Sequence, residues 1–361
     1  MAASRVRKWE DVEKESLELG ALARHFELHN KTEGKSPKTV VWYAMVLRQF
    51  HRFLQEADKS TRLGELDQMT VREFILYLQE KRKWADNPYL PATNAKLSAI
   101  TIQDYVRVLR VFFNWLYKEG YTAENRLAKL KPPKAPTKMV EILKQEEIAR
   151  VLGCIDYNTA AGARDKAVLI LLLDTGLRSS ELTNAQLRDV NIEGGYLKVM
   201  GKGGKERVVP FGAVAQKAVL RYLLHFRPEP FNLTIENLFL TMEGQPLSQS
   251  TMKMIFRRII ERSGVKRLHP HLCRHTFATN YLINGGDVFS LQQILGHTTL
   301  EMVRRYVTLA SSHVTIQHRK FSPMDRLGTR DLGTLVKKTP IGKDRHWEQG
   351  HRKKGDMRVI K

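Results

Sequence analysis

The sequence predicts a mostly α-helical protein of two domains, with a small antiparallel β-sheet in the second domain. Apolar residues recur at helical spacing through most of the chain, and one pair of strand-like segments flanks a glycine-rich turn. A basic stretch rich in proline separates the two helical regions. The length of 361 residues is sufficient for two domains of ordinary size.

The first region is predicted to be helical. In SPKTVVWYAMVLRQFHRFLQEA, Ser36 is expected to cap a helix that begins at Pro37, with apolar residues following at helical intervals. TVREFILYLQEKRKW and TIQDYVRVLRVFFNWLYKEG repeat this pattern, and the latter ends at Gly120. We interpret the aromatic residues of these helices as core rather than as base-stacking groups. We expect a flexible leader over residues 1–15 and a helical domain over residues 16–130.

The position of a linker sets the predicted boundaries of the rest of the chain. KLKPPKAPTK contains three prolines and four lysines, which predicts an extended basic linker over residues 131–138. The second domain is expected over residues 139–325, where GYLKVM and ERVVPF read as strands of a hairpin around GKGGK. Residues 326–361 are predicted to be a basic tail.

The charge balance favours a polyanionic partner. Lysine and arginine number 60 against 38 acidic residues, giving a net charge of +22, and nucleic acid is the commonest such partner. The two cysteines, Cys154 and Cys273, are too few for a disulfide framework, which indicates a reducing compartment. The N-terminus is too charged for a signal peptide, and the longest apolar run is too short to span a bilayer. We therefore expect a cytoplasmic protein.

Two cations stand at unusual places in the second domain. Arg178 in DTGLRSSEL lies at a predicted helix start, where the helix dipole does not favour a cation. It either pairs with Glu181 on the surface or points, with the helix N-terminus, at an anion. Lys202 in GKGGKE lies in the hairpin turn, where the spacing of a P-loop is missing. It is either a solvated lysine or a mobile proton donor.

HPHLCRHTFA gathers histidines beside an arginine. His271 and His275 have the spacing of zinc ligands on a helix, but the glutamate of H-E-x-x-H is missing and Arg274 would repel a metal ion. His271 and Arg274, three residues apart, share one helix face and can together hold a phosphate. We interpret His275 as a structural residue that points elsewhere.

LGHTTLEMVRRYV is predicted to contain a helix end, a turn and a new helix. Gly296 ends the first helix, and Thr298 with Glu301 has capping-box spacing for the next one. His297 lies on the turn, and Tyr306 lies in the second helix. A single tyrosine at such a position is more often part of a core, so its interest depends on the other motifs.

In their order and spacing, DTGLRSSEL, GKGGKERVVP, HPHLCRHTFAT and LGHTTLEMVRRYV resemble the tyrosine recombinases, also called the phage integrase family. The resemblance covers roughly residues 140–310 and includes a step of nine residues from His297 to Tyr306. The N-terminal helices are similar to the core-site-binding domain of this family. The resemblance implies a two-domain, C-shaped clamp around DNA, in a prokaryotic cell and associated with the nucleoid when bound. It also implies that residues 326–361 include a segment that docks on another protomer; the alternative is a disordered basic tail that adds nonspecific DNA affinity.

The resemblance also implies a role for each motif residue. Tyr306 would be the nucleophile, and Lys202 the general acid. The remaining roles are the phosphate-clamping arginines Arg178 and Arg274, the proton acceptor His271, the second phosphate contact His297 and the supporting acid Glu181. No metal or other cofactor is implied.

The implied activity is site-specific recombination of duplex DNA through a 3′-phosphotyrosyl intermediate and a Holliday junction. A homotetramer on two DNA sites would carry it out, in integration and excision or in transposition, with accessory proteins left open. The alternatives are a type IB topoisomerase-like activity and a catalytically silent DNA-binding regulator. Further DNA contacts are expected from Lys38, Lys131, Lys134, Lys138, Lys205 and Arg207.

Overall fold

The computed structural model describes residues 13–83, 85, 91, 93–134, 141–201, 204–309, 318 and 322. The chain separates into two compact units, Met1–Lys138 and Met139–Lys361. Most of the predicted leader, part of the predicted linker and all of the basic tail lie outside the described residues. No described helix combines the length and the apolar character needed to cross a membrane.

The N-terminal unit is built from the helices α1 (Leu19–Thr32), α2 (Pro37–Glu56), α3 (Gln68–Glu80) and α4 (Ala99–Lys118). Three of them begin with a side-chain cap, because Ser36, Asp67 and Ser98 each accept the backbone N–H three residues later. The predicted start of α2 at Ser36 and Pro37 is confirmed.

Aromatic side chains fill the core of this unit. The rings of Phe26 and Phe112 lie 5.3 Å apart, and those of Phe50 and Phe74 lie 5.1 Å apart, all four in the interior. Edge-on and tilted contacts at these distances are favourable. The interpretation of these aromatics as core residues is confirmed.

The second unit is also mostly helical. Its helices are α5 (Gln145–Gly153), α6 (Ala160–Thr175), α7 (Ser179–Asn184), α8 (Ala213–Arg221), α9 (Gln249–Ser263), α10 (Pro270–Ile283), α11 (Val288–Leu295) and α12 (Glu301–Leu309). α6 is buried at its centre, as its run of apolar residues predicts, and packs against both α8 and α10. Because α6 crosses the middle of the core, its C-terminal end brings the following turn up to α10 and α11.

A three-stranded antiparallel sheet lies between α7 and α8. Its strands are β1 (Val190–Asn191), β2 (Tyr196–Met200) and β3 (Glu206–Pro210), in that order. Val199 pairs with Arg207, and the Gly201 N–H donates to the Lys205 carbonyl at 2.7 Å where the hairpin turns. The predicted mostly α-helical fold with a small antiparallel sheet is confirmed.

The start of α12 differs from the prediction. The N–H groups of Val303 and Arg304 donate to the Leu300 carbonyl, so the helix begins at Glu301 with Leu300 in the capping position. Thr298 lies in the bend before it. The predicted capping box of Thr298 and Glu301 is therefore wrong, because Glu301 is the first helical residue rather than the third.

Candidate active site

Arg178 and Glu181 form a pair at the start of α7. The Glu181 carboxylate accepts the backbone N–H of Arg178 at 2.9 Å and its guanidinium at 2.7 Å. The Glu181 side chain is only 5% exposed, whereas that of Arg178 is 35% exposed. Arg178 can therefore pair with Glu181 and also bind an anion. The carboxylate contacts the guanidinium from the protein interior, and the opposite side of the guanidinium reaches solvent.

Glu181 is shared with a second arginine. Arg207 on β3 donates to both carboxylate oxygens, at 3.0 and 2.8 Å. Burial alone would raise the pKa of the Glu181 carboxyl, but hydrogen bonds and charge from Arg207 and Arg178 outweigh it and hold the pKa below its usual value. Glu181 is therefore ionised at neutral pH and supplies one negative charge between two guanidinium groups.

Gly176 allows the chain to turn between α6 and α7. Its φ of +62° lies in the left-handed region, and an added Cβ would approach within 2.5 Å of Phe277 and 2.8 Å of Leu295. The Gly176 carbonyl accepts the Arg274 guanidinium at 2.7 Å. Glycine is required here both for the conformation and for the close approach of α10 and α11.

Arg274 on α10 is 2% exposed. Besides the Gly176 carbonyl, its guanidinium donates to the Leu295 carbonyl at 2.8 Å and contacts His297 Nε2 at 2.8 Å. Burial, with repulsion from Arg178, lowers the pKa of Arg274 to about 10, so the group still carries its charge at neutral pH. Since a guanidinium only donates, His297 Nε2 is the acceptor in this contact.

Tyr306 on α12 contacts a histidine that was not expected to face it. Its hydroxyl lies 2.8 Å from His275 Nδ1, and the Tyr306 side chain is 4% exposed. The ring of His275 lies 4.5 Å from that of His271, one turn earlier on α10, and His271 is exposed. The prediction that His275 points elsewhere is wrong, because residues four apart lie on the same helix face.

Several of the predicted site residues converge. The consecutive carbonyls of Ile294 and Leu295 accept Arg207 and Arg274, and Arg207 shares Glu181 with Arg178. Arg274 also contacts His297, and the same helix carries His275, which contacts the Tyr306 hydroxyl. Lys202 lies outside the described residues. Within the parts of the second unit that are described, hydrogen bonds thus connect Arg178, Arg274 and His297, and Tyr306 contacts the helix that carries Arg274.

The other predicted DNA contacts divide into two groups. Arg207 is 12% exposed, and its guanidinium is bound to Glu181 and to the Ile294 carbonyl. This geometry corrects the prediction that Arg207 contacts DNA, since its donors face protein acceptors. Lys138 lies outside the described residues, and the predicted contacts with exposed side chains are Lys38, Lys131, Lys134 and Lys205.

A basic cleft of about 700 Å³ lies in the N-terminal unit, between α2, α4 and the segment that joins α3 to α4. Trp42 and Tyr105 meet edge to face at 5.5 Å in its wall. Six cations line it, and none was among the predicted DNA contacts: Arg48, Arg52, Lys81, Arg82, Lys83 and Lys96. The charge suits a phosphate backbone.

Among the described residues, no cluster of three or more histidine, cysteine, aspartate or glutamate side chains could hold a metal ion. The described site holds the guanidinium groups of Arg178, Arg207 and Arg274 with the single carboxylate of Glu181, and this net positive charge suits an anion.

Comparison with known proteins assigns the family. Residues 141–313 match the model of the phage integrase family, and residues 20–132 match the model of the phage integrase SAM-like domain. The chain is 31% identical over 293 residues to tyrosine recombinase XerD of Staphylococcus saprophyticus, covering 81% of this chain and 94% of that protein. Tyrosine recombinase XerD of Staphylococcus aureus matches with the same identity and coverage. The chain belongs to the phage integrase family. It is a tyrosine recombinase.

Solved structures of other recombinases share its fold. XerH bound to a palindromic difH substrate aligns with a TM-score of 0.62 at 22% identity, over 82% of each chain. The Tn1549 transposon integrase in complex with a circular intermediate DNA aligns with a TM-score of 0.64 at 19% identity, over 81% of this chain and 95% of that chain.

Two contacts of the recombinase site were missed from the sequence. Arg207 is two residues from the buried Val209 on β3, so strand alternation could have placed it on the inner face. His275 is four residues from His271, a spacing considered above only for a metal. The partner of Arg207 is Glu181 and that of His275 is Tyr306. Both partners are distant in sequence, so no local sequence pattern identifies them.

Proposed function

We propose that this tyrosine recombinase cuts and rejoins duplex DNA at specific sites, with Tyr306 as the nucleophile. The observation that carries this assignment is the set of contacts around α10, where Arg274 contacts His297 and the adjacent His275 contacts the Tyr306 phenol. Arg178 is connected to the same place, because Glu181 binds both it and Arg207, and Arg207 bonds the α11 carbonyl next to the one that binds Arg274. A cluster of this kind suits the attack of a phenolic oxygen on a backbone phosphate, because negative charge grows on the phosphate oxygens as the transition state forms.

The arginines stabilise that charge. Arg274 is fixed by two carbonyls and Arg178 by Glu181, so neither guanidinium must reorganise when the charge appears. Removal of one such preplaced donor typically costs about 3 to 4 kcal/mol of transition-state stabilisation. His297 would turn its imidazole from Arg274 to the phosphate as a second contact.

The proton transfers complete the step. The Tyr306 oxygen forms a bond to phosphorus, the bond from phosphorus to the 5′ oxygen breaks, and the electron pair leaves with that oxygen. The phenol has an ordinary pKa of about 10, so it needs a proton acceptor, the role proposed for His271 with His275 between them. Lys202 would protonate the departing 5′ oxygen.

The product is a 3′-phosphotyrosyl ester and a free 5′ hydroxyl. Because this ester keeps the energy of the original bond, a 5′ hydroxyl of another strand can reverse the step without ATP or metal. Two rounds of exchange through a four-way junction, in a homotetramer on two DNA sites, would recombine the duplexes.

Access to the phenol requires a rearrangement. Tyr306 is 4% exposed and its hydroxyl meets His275, so a duplex cannot reach it as described. We expect α12 to move when DNA binds. The basic cleft and the exposed lysines Lys38, Lys131, Lys134 and Lys205 would hold the duplex meanwhile.

Integration and excision or transposition of a mobile element is the natural role that we propose, in the cytoplasm of a prokaryotic cell. The family match and the complete set of predicted catalytic residue types favour recombination over both a type IB topoisomerase-like activity and a silent regulator.

A covalent trapping experiment tests the proposal. With a nicked suicide substrate that carries the core site, the wild-type protein should form a detergent-resistant adduct, and Tyr306→Phe should form none while it binds DNA equally well. Tyr281→Phe is the control, because Tyr281 is a partly buried tyrosine of the same unit that bonds to Ser290. An adduct formed by Tyr306→Phe would refute the assignment of the nucleophile.

A further inference from the structure

We propose that Arg207 is a positioning residue for cleavage, which sets Arg178 through Glu181 and supports the turn that carries His297. The inference rests on the proposed function. Arg207 itself would touch neither the phosphate nor the phenol.

All three nitrogens of the planar Arg207 guanidinium donate hydrogen bonds. Nη1 and Nη2 donate to the two oxygens of Glu181 at 3.0 and 2.8 Å, and Nε donates to the Ile294 carbonyl at 2.8 Å. A paired contact of this kind fixes both the distance and the orientation of a carboxylate, which a lysine ammonium cannot do. The plane of the Glu181 carboxylate is therefore set by β3.

The orientation of Glu181 passes on to Arg178. Each oxygen of the carboxylate accepts from both arginines, since Oε1 binds the Arg178 side chain and Oε2 binds its backbone N–H. Arg207 therefore binds the carboxylate from the protein interior, whereas Arg178 binds it from the side of the solvent and is itself partly exposed. If Arg207 is lost, the carboxylate can rotate and take the Arg178 guanidinium with it.

A second connection runs to the end of α11. The consecutive carbonyls of Ile294 and Leu295 accept Arg207 and Arg274, so the negative end of this helix dipole binds two cations of the site. Arg207 also crosses Gly296 closely, because an added Cβ there would lie 2.9 Å from Nη1. His297 follows that glycine directly, so the turn that presents it rests on Arg207.

These contacts predict a specific kinetic defect. A small displacement of Arg178 and His297 leaves DNA binding by the rest of the surface intact. It weakens the stabilisation of negative charge on the nonbridging oxygens of the scissile phosphate. Misplacement by about 1 Å at a reacting centre can cost about 100-fold in rate. A general loss of stability, in contrast, would not depend on the charge of the scissile phosphate.

The test compares two suicide substrates, one with the natural scissile phosphate and one with a methylphosphonate, in which a methyl group replaces one charged oxygen. Single-turnover cleavage at saturating DNA is measured for wild type and Arg207→Ala. We expect a loss of about 100-fold on the natural substrate. We expect a loss of less than about 10-fold on the methylphosphonate, since less charge must be stabilised. The dissociation constant for DNA should change little.

The chain offers a matched control. Asp165 is another buried carboxylate shared by two arginines, Arg164 and Arg258, near the opposite end of α6. Arg164→Ala removes a buried arginine of the same kind, and any loss of rate should be equal on the two substrates. Arg207→Lys keeps the charge without the paired geometry and should fall between wild type and Arg207→Ala. It also serves as the test variant if Arg207→Ala does not fold.

Two results would overturn the inference. They are cleavage at the wild-type rate by folded Arg207 variants, and an equal loss on both substrates. Either would leave the proposed function intact, because the wild-type protein would still form the Tyr306 adduct. Absence of that adduct in the wild-type protein would instead refute the proposed function itself.

Discussion

At the scale of single residues, the contact between Tyr306 and His275 joins the proposed nucleophile to the helix that carries Arg274. The hydroxyl and the imidazole lie 2.8 Å apart in a partly buried place. A hydrogen bond there contributes to stability, and loss of one partner leaves the other without that bond in a poorly solvated position.

We predict that His275→Phe lowers the free energy of unfolding by about 1 kcal/mol or somewhat more, because phenylalanine keeps a ring but cannot bond the phenol. Chemical denaturation of the wild type, both single variants and the double variant with Tyr306→Phe measures this in a double-mutant cycle. The loss caused by His275→Phe should shrink when Tyr306 is already phenylalanine. Strictly additive effects would contradict the contact.

At the scale of elements, the turn after α6 is where three helices approach one another. Gly176 has a positive φ, and a Cβ added to it would lie 2.5 Å from Phe277 of α10 and 2.8 Å from Leu295 of α11. Gly264, which ends α9, has a similar φ of +71° but no heavy atom within 4 Å of an added Cβ. Alanine substitutions at the two glycines therefore distinguish the energetic cost of a left-handed backbone conformation from the cost of steric overlap with neighbouring side chains.

We predict that Gly264→Ala costs about 1 to 2 kcal/mol, the usual penalty for a left-handed alanine. Gly176→Ala should cost at least about 1 to 3 kcal/mol more, because Phe277 and Leu295 must move. It should also reduce cleavage, since the Gly176 carbonyl holds Arg274. Thermal denaturation and the suicide-substrate assay check both effects. Equal destabilisation by the two substitutions would contradict this account of the turn.

The elements also show what the sequence could predict. Ser36 with Pro37, Gly296 and the hairpin around GKGGK are set by bonds within a few residues, and all were found. The family motifs brought Arg178, Arg274 and Tyr306 together because the resemblance supplies long-range information. Arg207 with Glu181, and His275 with Tyr306, are contacts between distant segments that neither periodicity nor the motif roles specified.

At the scale of the whole molecule, the excess of 60 basic over 38 acidic residues is concentrated in part on the wall of the N-terminal cleft. Arg48 and Arg52 lie one turn apart on the exposed face of α2 and both line it. Affinity that arises from phosphate contacts of this kind falls with salt, because bound counterions are released.

We predict that Arg48→Ala combined with Arg52→Ala lowers the slope of log affinity against log salt by about 2, since each phosphate contact contributes about 0.9. Fluorescence anisotropy with a duplex core site over a range of salt concentrations measures the slope. Arg72→Ala, an exposed arginine of α3 outside the cleft, is the control and should leave the slope nearly unchanged. An unchanged slope in the double variant would exclude the cleft as a DNA surface.

The hydrogen bonds that the Ile294 and Leu295 carbonyls accept limit how the length of α11 can vary among related chains. Successive residues of a helix are rotated by about 100° about its axis. An insertion or deletion of one residue within α11 would turn these acceptors away from Arg207 and Arg274 and shift Gly296 out of place. Related chains should therefore tolerate added residues in the loops around the site, but keep the number of residues from Asp287 to Gly296 constant.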